Sequence, residues 1–412
     1  MVPDQRYVLS PYLRLCGSRQ GPLIRDVRRR AIVPCPPSLL EALLVFARPA
    51  SHADLCAQVE MTDEDFQLLV SGGLIVPAPA PAPERPPASL ALASTMLHPG
   101  PSLRSFIDYH LAVGVTRLYL FFEDGRDDGL ELARRYPQVS ALVTDDRLRR
   151  RQQRGPLWAR LEPHLATEVM ARQCLNAQTA LEDAASAGIQ WLVHLDADEL
   201  LWSPDDLPGR LALLPANVGQ VHCLNYEAVP ESFEVDDPFR EVTLFKRPGA
   251  MCDRESLRGW LRRIGRADFF IGYVNGKSLV RVAPGVLTNG VHEFDLPPAH
   301  PHTVSGFDLV VLHYPRCGFR QYRQRYEQQA RPGEFCFGDQ HTPRLPFDLR
   351  TAAAFRNDPG EARRIYEREV MLGGPEQIDW LLREGHCLRE RGPAEILGAG
   401  AAAGREPRRA HH

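Results

Sequence analysis

The spacing of hydrophobic positions changes along the chain, and the changes mark its parts. Over residues 38–46, leucines at 39, 40, 43 and 44 recur at helical spacing until Arg48-Pro49 ends the run. Ser51 and Thr62 stand as caps of two further short helices, with Asp54 three residues after the first cap. Ser71-Gly72-Gly73 breaks the last of them before a short apolar strand at 74–76. Residues 77–88, PAPAPAPERPPA, cannot form a helix or a central strand and predict an extended linker. A small N-terminal unit, 1–76, is thereby set apart from a larger body.

The body begins with an apolar stretch at 90–96 that suits a buried strand. Pro101 and Ser102 open a helix with Leu103, Phe106, Ile107 and Leu111 on one face and Gly114 at its end. A continuous apolar strand, 118–122, runs into Glu123-Asp124-Gly125-Arg126-Asp127-Asp128-Gly129. After a strand at 139–143 and a long helix over about 164–187, the strand 191–195 meets Asp196-Ala197-Asp198-Glu199. Near-continuous apolar strands alternating with helices predict an α/β fold: a mostly parallel sheet with helices on both faces. Ligands of such sheets bind beyond the carboxyl ends of the strands, where both acidic clusters lie. The body spans 89–344. Short amphipathic helices make 345–395 a helical C-terminal region, and 396–412 reads as a disordered tail.

Composition narrows the class. With 412 residues, 44% hydrophobic and 25% charged, the chain is long enough for two or three packed domains. A formal net charge of -3 gives no global pull toward nucleic acid or anionic lipid. Of 49 basic residues only Lys246 and Lys277 are lysines, the mark of a GC-rich, bacterial genome, so the arginine runs 28–30 and 149–151 read as solvated faces. The nine cysteines are scattered without a CxxC pair, which argues against a disulfide framework or zinc module. No apolar run reaches the roughly 20 residues of a membrane span, and no signal pattern opens the chain, so a cytoplasmic setting is expected.

The chemistry lies in the acidic clusters. Two carboxylates two residues apart at a strand end, Asp196 and Asp198, project to one side if the backbone stays extended and can share a divalent cation. Hard oxygen ligands select Mg²⁺ or Mn²⁺, which would bridge a diphosphate and stabilise a nucleotide leaving group. In the first cluster, Glu123 or Asp124 is placed to accept from a base N–H or ribose hydroxyl, while Asp127 or Asp128 holds the turn.

The blocks DYHLAVGV, EDGRDDG, ARQCLNAQTA, WLVHLDADELLW, NGKSLVRV, GVHEF and LHYPRCGFRQY, in this order over about 90–330, resemble the family-2-type glycosyltransferases. The likeness is nearer to the branch related to family 92 (DUF23-like). The resemblance implies a GT-A fold, a nucleotide diphosphate sugar donor and inversion at the anomeric carbon. It implies that Asp196 and Asp198 hold metal and diphosphate, with Glu199 the acidic residue that follows. It places Glu123, Asp124 and Asp128 at the donor nucleotide, and Arg172, Gln173 and Asn176 on a helix beneath it. His292 and His313 match late histidines that ligate metal or touch the diphosphate; Lys277, a rare lysine within Asn275-Gly276-Lys277-Ser278, is separately a candidate donor phosphate contact. Glu293, Asp295 and Glu227 follow strands and are open as the general base; Glu199 and Glu293 are taken as the catalytic pair. The first strand departs from the family, ending in Leu97-His98-Pro99-Gly100 instead of Asn-Glu.

The N-terminal unit, three helices and then a strand, resembles winged-helix modules, including the PqqD-like ones that precede peptide-modifying enzymes. A peptide or protein acceptor is the implied partner. Asp63, Glu64 and Asp65 in its third helix argue against DNA. The alternative is a non-catalytic regulator that joins this module to a degenerate transferase domain. A phosphatase built on the DxD lacks the threonine that should follow it.

Overall fold

The computed structural model describes residues 5–403 apart from 11–12, 19–20, 27–30, 47–48, 79–85, 267, 306–308, 329–334, 338–339 and 343–345. The arginine run at 28–30, most of the Pro/Ala linker and the end of the expected tail lie outside the described residues.

The body is built on a seven-stranded sheet. Four parallel strands run Val139–Val143, Arg117–Phe122, Leu90–Met96 and Trp191–His194 across it. Lys277–Arg281 adds antiparallel to Trp191–His194, Val218–Cys223 pairs antiparallel to Lys277–Arg281 and so runs with the first four, and His302–Ser305 closes the sheet parallel to Val218–Cys223. Side-chain alternation loads both faces. Leu90, Leu92 and Met96 pack with Leu118, Leu120 and Phe122 against Phe106 and Ile107 of the helix Ser102–Ala112. Ala91, Ala93, Tyr119 and Phe121 turn to the other face, toward Ala180, Leu181 and Ala184 of the helix Val169–Ser186. Alanines there let the long helix lie close to the sheet, so residues near its N-terminus reach the strand ends. The mixed α/β architecture is therefore as the apolar pattern predicts. Gly114, with φ +95°, ends the first helix; a Cβ on it would come within 2.6 Å of Pro208 Cγ, so glycine is required twice over.

A second, five-stranded sheet runs in the order Glu199–Trp202, Val310–His313, Asn225–Ala228, Leu244–Lys246 and Cys387–Arg389. Its first pair aligns Glu199 with His313, which brings residues 114 apart in sequence to neighbouring positions. The C-terminal region is helical: Pro346–Asn357, Pro359–Ile365, Pro375–Arg383 and Gly392–Ala403. The last of these occupies 396–403, part of the expected tail, because Leu397 is buried and its carbonyl accepts from Arg240.

In the N-terminal unit the helices Pro37–Val45, His52–Cys56 and Asp63–Ser71 form where expected, the second and third with full capping boxes at Ser51/Asp54 and Thr62/Asp65. The strand Ile75–Pro77 pairs with Tyr7–Leu9. A three-stranded antiparallel sheet over Leu13–Ser18, Gly21–Asp26 and Ala31–Pro34 precedes the helices, an element the hydrophobic pattern does not signal. The unit is docked on the body: Met251 is buried in its core, and Leu224 and Tyr226 pack against it.

Candidate active site

Residues 196–198 leave the strand as a tight turn, not as extended backbone. The Glu199 N–H donates to the Asp196 carbonyl at 3.1 Å, and the Asp196 N–H returns a 2.7 Å bond to Glu199 Oε2. The two aspartates have different partners. Asp196, its side chain 28% exposed, is tied down from below: Oδ1 accepts from Gln173 Nε2 at 2.5 Å and Oδ2 from Lys277 Nζ at 3.0 Å. Asp198 faces outward, its side chain 38% exposed, with Nε2 of His313 3.8 Å from Oδ2. Its place beside His313 follows from the Glu199–His313 register and from the Tyr314 N–H, which donates to the Asp198 carbonyl at 2.8 Å.

Under the turn lies a buried polar cluster. Lys277 and Glu199 are both fully buried, 3.6 Å apart. The Tyr273 hydroxyl donates to Glu199 Oε1, its ring lies 5.5 Å from Lys277 Nζ, and the His292 and His313 rings flank it at 4.9 and 4.8 Å. Burial alone would raise Asp196; the Lys277 ammonium overrides it and holds the carboxyl well below the usual range. Burial pushes Glu199 up to about 8 against Lys277, helped by the charges of Asp196 and Asp198. Burial opposes the charge on Lys277, but Asp196 and Glu199 keep it protonated. Burial pushes His292 down to about 4, helped by Lys277. His313 is lowered by burial against the pull of Asp198, so both imidazoles are neutral near pH 7 and able to ligate.

The other end of the site is built on the first acidic cluster. Arg172 Nε donates to Glu123 Oε2 at 2.6 Å, and Arg172 Nη1 to the Leu165 carbonyl at 2.8 Å. Glu123 Oε1 is buried and has no partner among the described residues. Asp124 turns to its own loop, accepting from the Arg126 N–H at 2.9 Å. Asp127, not Asp128, holds the turn: it caps the helix Asp128–Arg134 and accepts the His98 N–H at 2.8 Å, while Asp128 is exposed. Arg172 and Gln173, consecutive on one helix, thus reach the two acidic clusters. Asn176 points into the core, bonded to Gln152 and Thr95 at 3.0 Å each.

The other expected site residues differ in access. Glu199 is sealed from solvent and cannot touch an acceptor, and Lys277, equally sealed, is committed to Asp196 and Glu199. Glu227 is fully buried on Lys246 and the backbone of Ile271 and Gly272. His292 Nδ1 lies 2.7 Å from the Gly276 carbonyl, and Glu293 follows it, half-buried, in a hairpin with Leu287–Asn289. Asp295 is exposed and accepts from Asn289. Arg149 and Arg151 are not a solvated face: Arg151 pairs with Asp183 at 2.6 Å and Arg149 bonds Gln152 at 2.8 Å. Tyr273 is the residue that sequence reasoning missed. It sits in an aromatic, aperiodic segment where a tyrosine signals only core; the rare lysine four residues on was the available pointer.

Among the described residues no group of three or more His, Cys, Asp or Glu side chains is arranged to hold a metal. Asp198 and His313 form an open pair, which suits Mg²⁺ or Mn²⁺ because these ions take few protein ligands and fill the rest with water and phosphate oxygens. The seven cysteines whose side chains are described form no disulfide, and no described helix is long and apolar enough to cross a membrane.

No family model matches the chain. Two glycosyltransferase-like proteins of Arabidopsis thaliana are each 28% identical to it, over 312 and 315 residues. These matches cover 71% of this chain and 68% and 60% of the relatives' own lengths. Among solved structures, core-mannan synthase A of Aspergillus fumigatus in its Mn/GDP form is 10% identical, with a TM-score of 0.27 over 71% of this chain and 92% of that one. The mannosyltransferase Ktr4p of S. cerevisiae is 9% identical, with a TM-score of 0.24 over 35% and 40%. Likeness that slight leaves the side chains to carry the chemistry.

Proposed function

We propose that the protein is a metal-dependent, inverting glycosyltransferase of GT-A type, moving a sugar from a nucleotide diphosphate sugar to an acceptor hydroxyl. The observation that carries this reading is the pair of consecutive residues Arg172 and Gln173 joining Glu123 and Asp196 at the carboxyl ends of the parallel strands, at 2.6 and 2.5 Å. One turn of helix so connects a nucleoside-type acceptor, Glu123 Oε1, with an anion-handling end. The two glycosyltransferase-like relatives support the same class.

Glu123 would accept from a base N–H or ribose hydroxyl, its orientation held by Arg172. Asp198 and His313 would hold Mn²⁺ or Mg²⁺, which neutralises charge on the departing diphosphate. Asp196, Glu199, Lys277 and Tyr273 keep the 196–198 turn rigid beneath them, so that Asp198 is aimed outward before the donor arrives. Glu293, beside His292, is the proposed base: it takes the acceptor hydroxyl proton as the oxygen bonds to the anomeric carbon and the bond to the diphosphate breaks. The N-terminal unit would bring a peptide or protein acceptor. Nucleotide-sugar hydrolysis and binding across a donor panel, with and without Mn²⁺, test the reading. Asp198→Ala should abolish metal-dependent donor binding; unaltered binding in that variant, or no donor bound by the native protein, refutes it.

A further inference from the structure

The 269–276 segment carries Tyr273 into the site and leads into Lys277, yet it belongs to no strand or helix. Val274 and Asn275 reach solvent, but where Ile271, Gly272, Tyr273 and Gly276 turn inward their backbone groups need partners that no sheet ladder supplies. The partners are two side chains of the neighbouring strand Asn225–Ala228. Asn225 Nδ2 donates to the Tyr273 carbonyl at 2.9 Å, and Asn225 Oδ1 accepts the Gly276 N–H at 3.1 Å. Glu227 accepts the Ile271 N–H at 3.0 Å and the Gly272 N–H at 2.6 Å. Lys246, on the adjacent strand, donates to Glu227 at 2.6 Å and supplies the charge that lets a carboxylate remain buried there. The fit is close: a Cβ on Gly272 would come within 2.9 Å of Glu227 Oε2 and 3.0 Å of the His313 ring. Strand alternation turns Asn225 and Glu227 toward this segment, while Leu224 and Tyr226 pack on the N-terminal unit.

We infer that Asn225 and the Glu227–Lys246 pair are positioning residues. They hold the 271–276 backbone so that Tyr273 reaches Glu199 and Lys277 reaches Asp196, and through these they set the turn that presents Asp198. The inference rests on the transferase reading for its kinetic arm only. It also gives the N-terminal unit a second role, as the backing of the strand that holds the site.

Amide hydrogen exchange and steady-state kinetics on the full chain test it together. Glu227→Gln and Asn225→Ala should speed exchange over 271–276 by about 10- to 100-fold, the size of one or two lost hydrogen bonds to a charged or buried group. Exchange in Lys277–Arg281 should stay as in the native protein. Turnover should fall by a similar factor in kcat, with donor KM rising as well, because the loosened turn presents Asp198 less well to metal and donor. If Glu227→Gln does not fold with Lys246 left unpaired, the Glu227→Gln/Lys246→Met double variant removes both charges and serves in its place. Unchanged exchange over 271–276 in a folded variant overturns the inference, as does faster exchange with native kcat. A native protein that turns over no nucleotide sugar overturns the transferase reading instead, and the exchange result then decides the positioning role alone.

Discussion

Replacing Lys277 with methionine should unfold the site from its base, and the effect should depend on pH in one direction. The ammonium lies 3.0 Å from Asp196 and 3.6 Å from Glu199, fully buried. At an effective dielectric constant of about 20, Coulomb's law gives the Asp196 contact roughly 5 kcal/mol before desolvation, while Glu199, pushed up to about 8, is mostly protonated at pH 7 and adds less. Most of that is offset by the cost of burying the ammonium, and breaking a buried pair from one side costs about 3–5 kcal/mol net. Methionine keeps the volume and removes the charge, so Lys277→Met should lose about that much at pH 7, a large part of a total stability of about 5–15 kcal/mol. Asp196 is held below its unfolded value in the native protein; its stabilising share is present above about pH 4 and is lost only in stronger acid. Glu199 is held above its unfolded value and costs stability as pH rises through about 8. Without the ammonium the buried Asp196 carboxyl rises, while Glu199 is already protonated, so the folded variant binds up to one more proton than the folded native chain near pH 5–7. The gap between the two should therefore narrow as pH falls; one extra proton held over two pH units is worth about 2.7 kcal/mol. Urea unfolding of both proteins at pH 5, 7 and 8.5, in EDTA, measures this. A gap below about 1 kcal/mol at pH 7, or one equally wide at pH 5, would refute the buried-cation account.

Three further outcomes are expected. Asp198→Ala should leave urea stability within about 0.5 kcal/mol, since the side chain is partly exposed and outside the buried cluster, while Mn²⁺ affinity in the presence of a nucleotide diphosphate, read by calorimetry, is lost. Tyr273→Phe keeps the ring between His292 and His313 but leaves Glu199 Oε1 without its hydroxyl donor, which should cost about 1–3 kcal/mol by urea unfolding. Removing residues 1–76 should uncover Met251, Leu224 and Tyr226, seen as increased dye binding and self-association by size exclusion; a monodisperse fragment with no added dye binding would show that the unit is separable.

Much of the architecture was legible from local signals. The all-apolar strand 90–96, the caps at Ser51 and Thr62 and the glycine stop at Gly114 each act within one turn or one strand. Their physics is contained in neighbouring residues. The three-stranded sheet over Leu13–Ser18, Gly21–Asp26 and Ala31–Pro34 was not legible, because its residues lack a regular polar–apolar alternation. Leu397 likewise shows why a Gly/Ala-rich tail became a helix: one buried leucine and the Arg240 contact outweigh weak composition.

The sequence by itself determined the parallel α/β order and the placement of acidic residues at strand ends, since apolar runs and turn residues declare both. Which carboxylate does what was decided only in three dimensions. Spacing of two residues puts Asp196 and Asp198 on one side of an extended strand, but the backbone there is a turn closed by Glu199, and the two carboxylates take different partners. Asp196 meets Lys277, 81 residues on, and Asp198 meets His313, 115 on. Those partners are chosen by sheet register and by the Asn225 and Glu227 contacts to the 271–276 segment. Pairing over such separations depends on which strands lie side by side, and no local pattern encodes that.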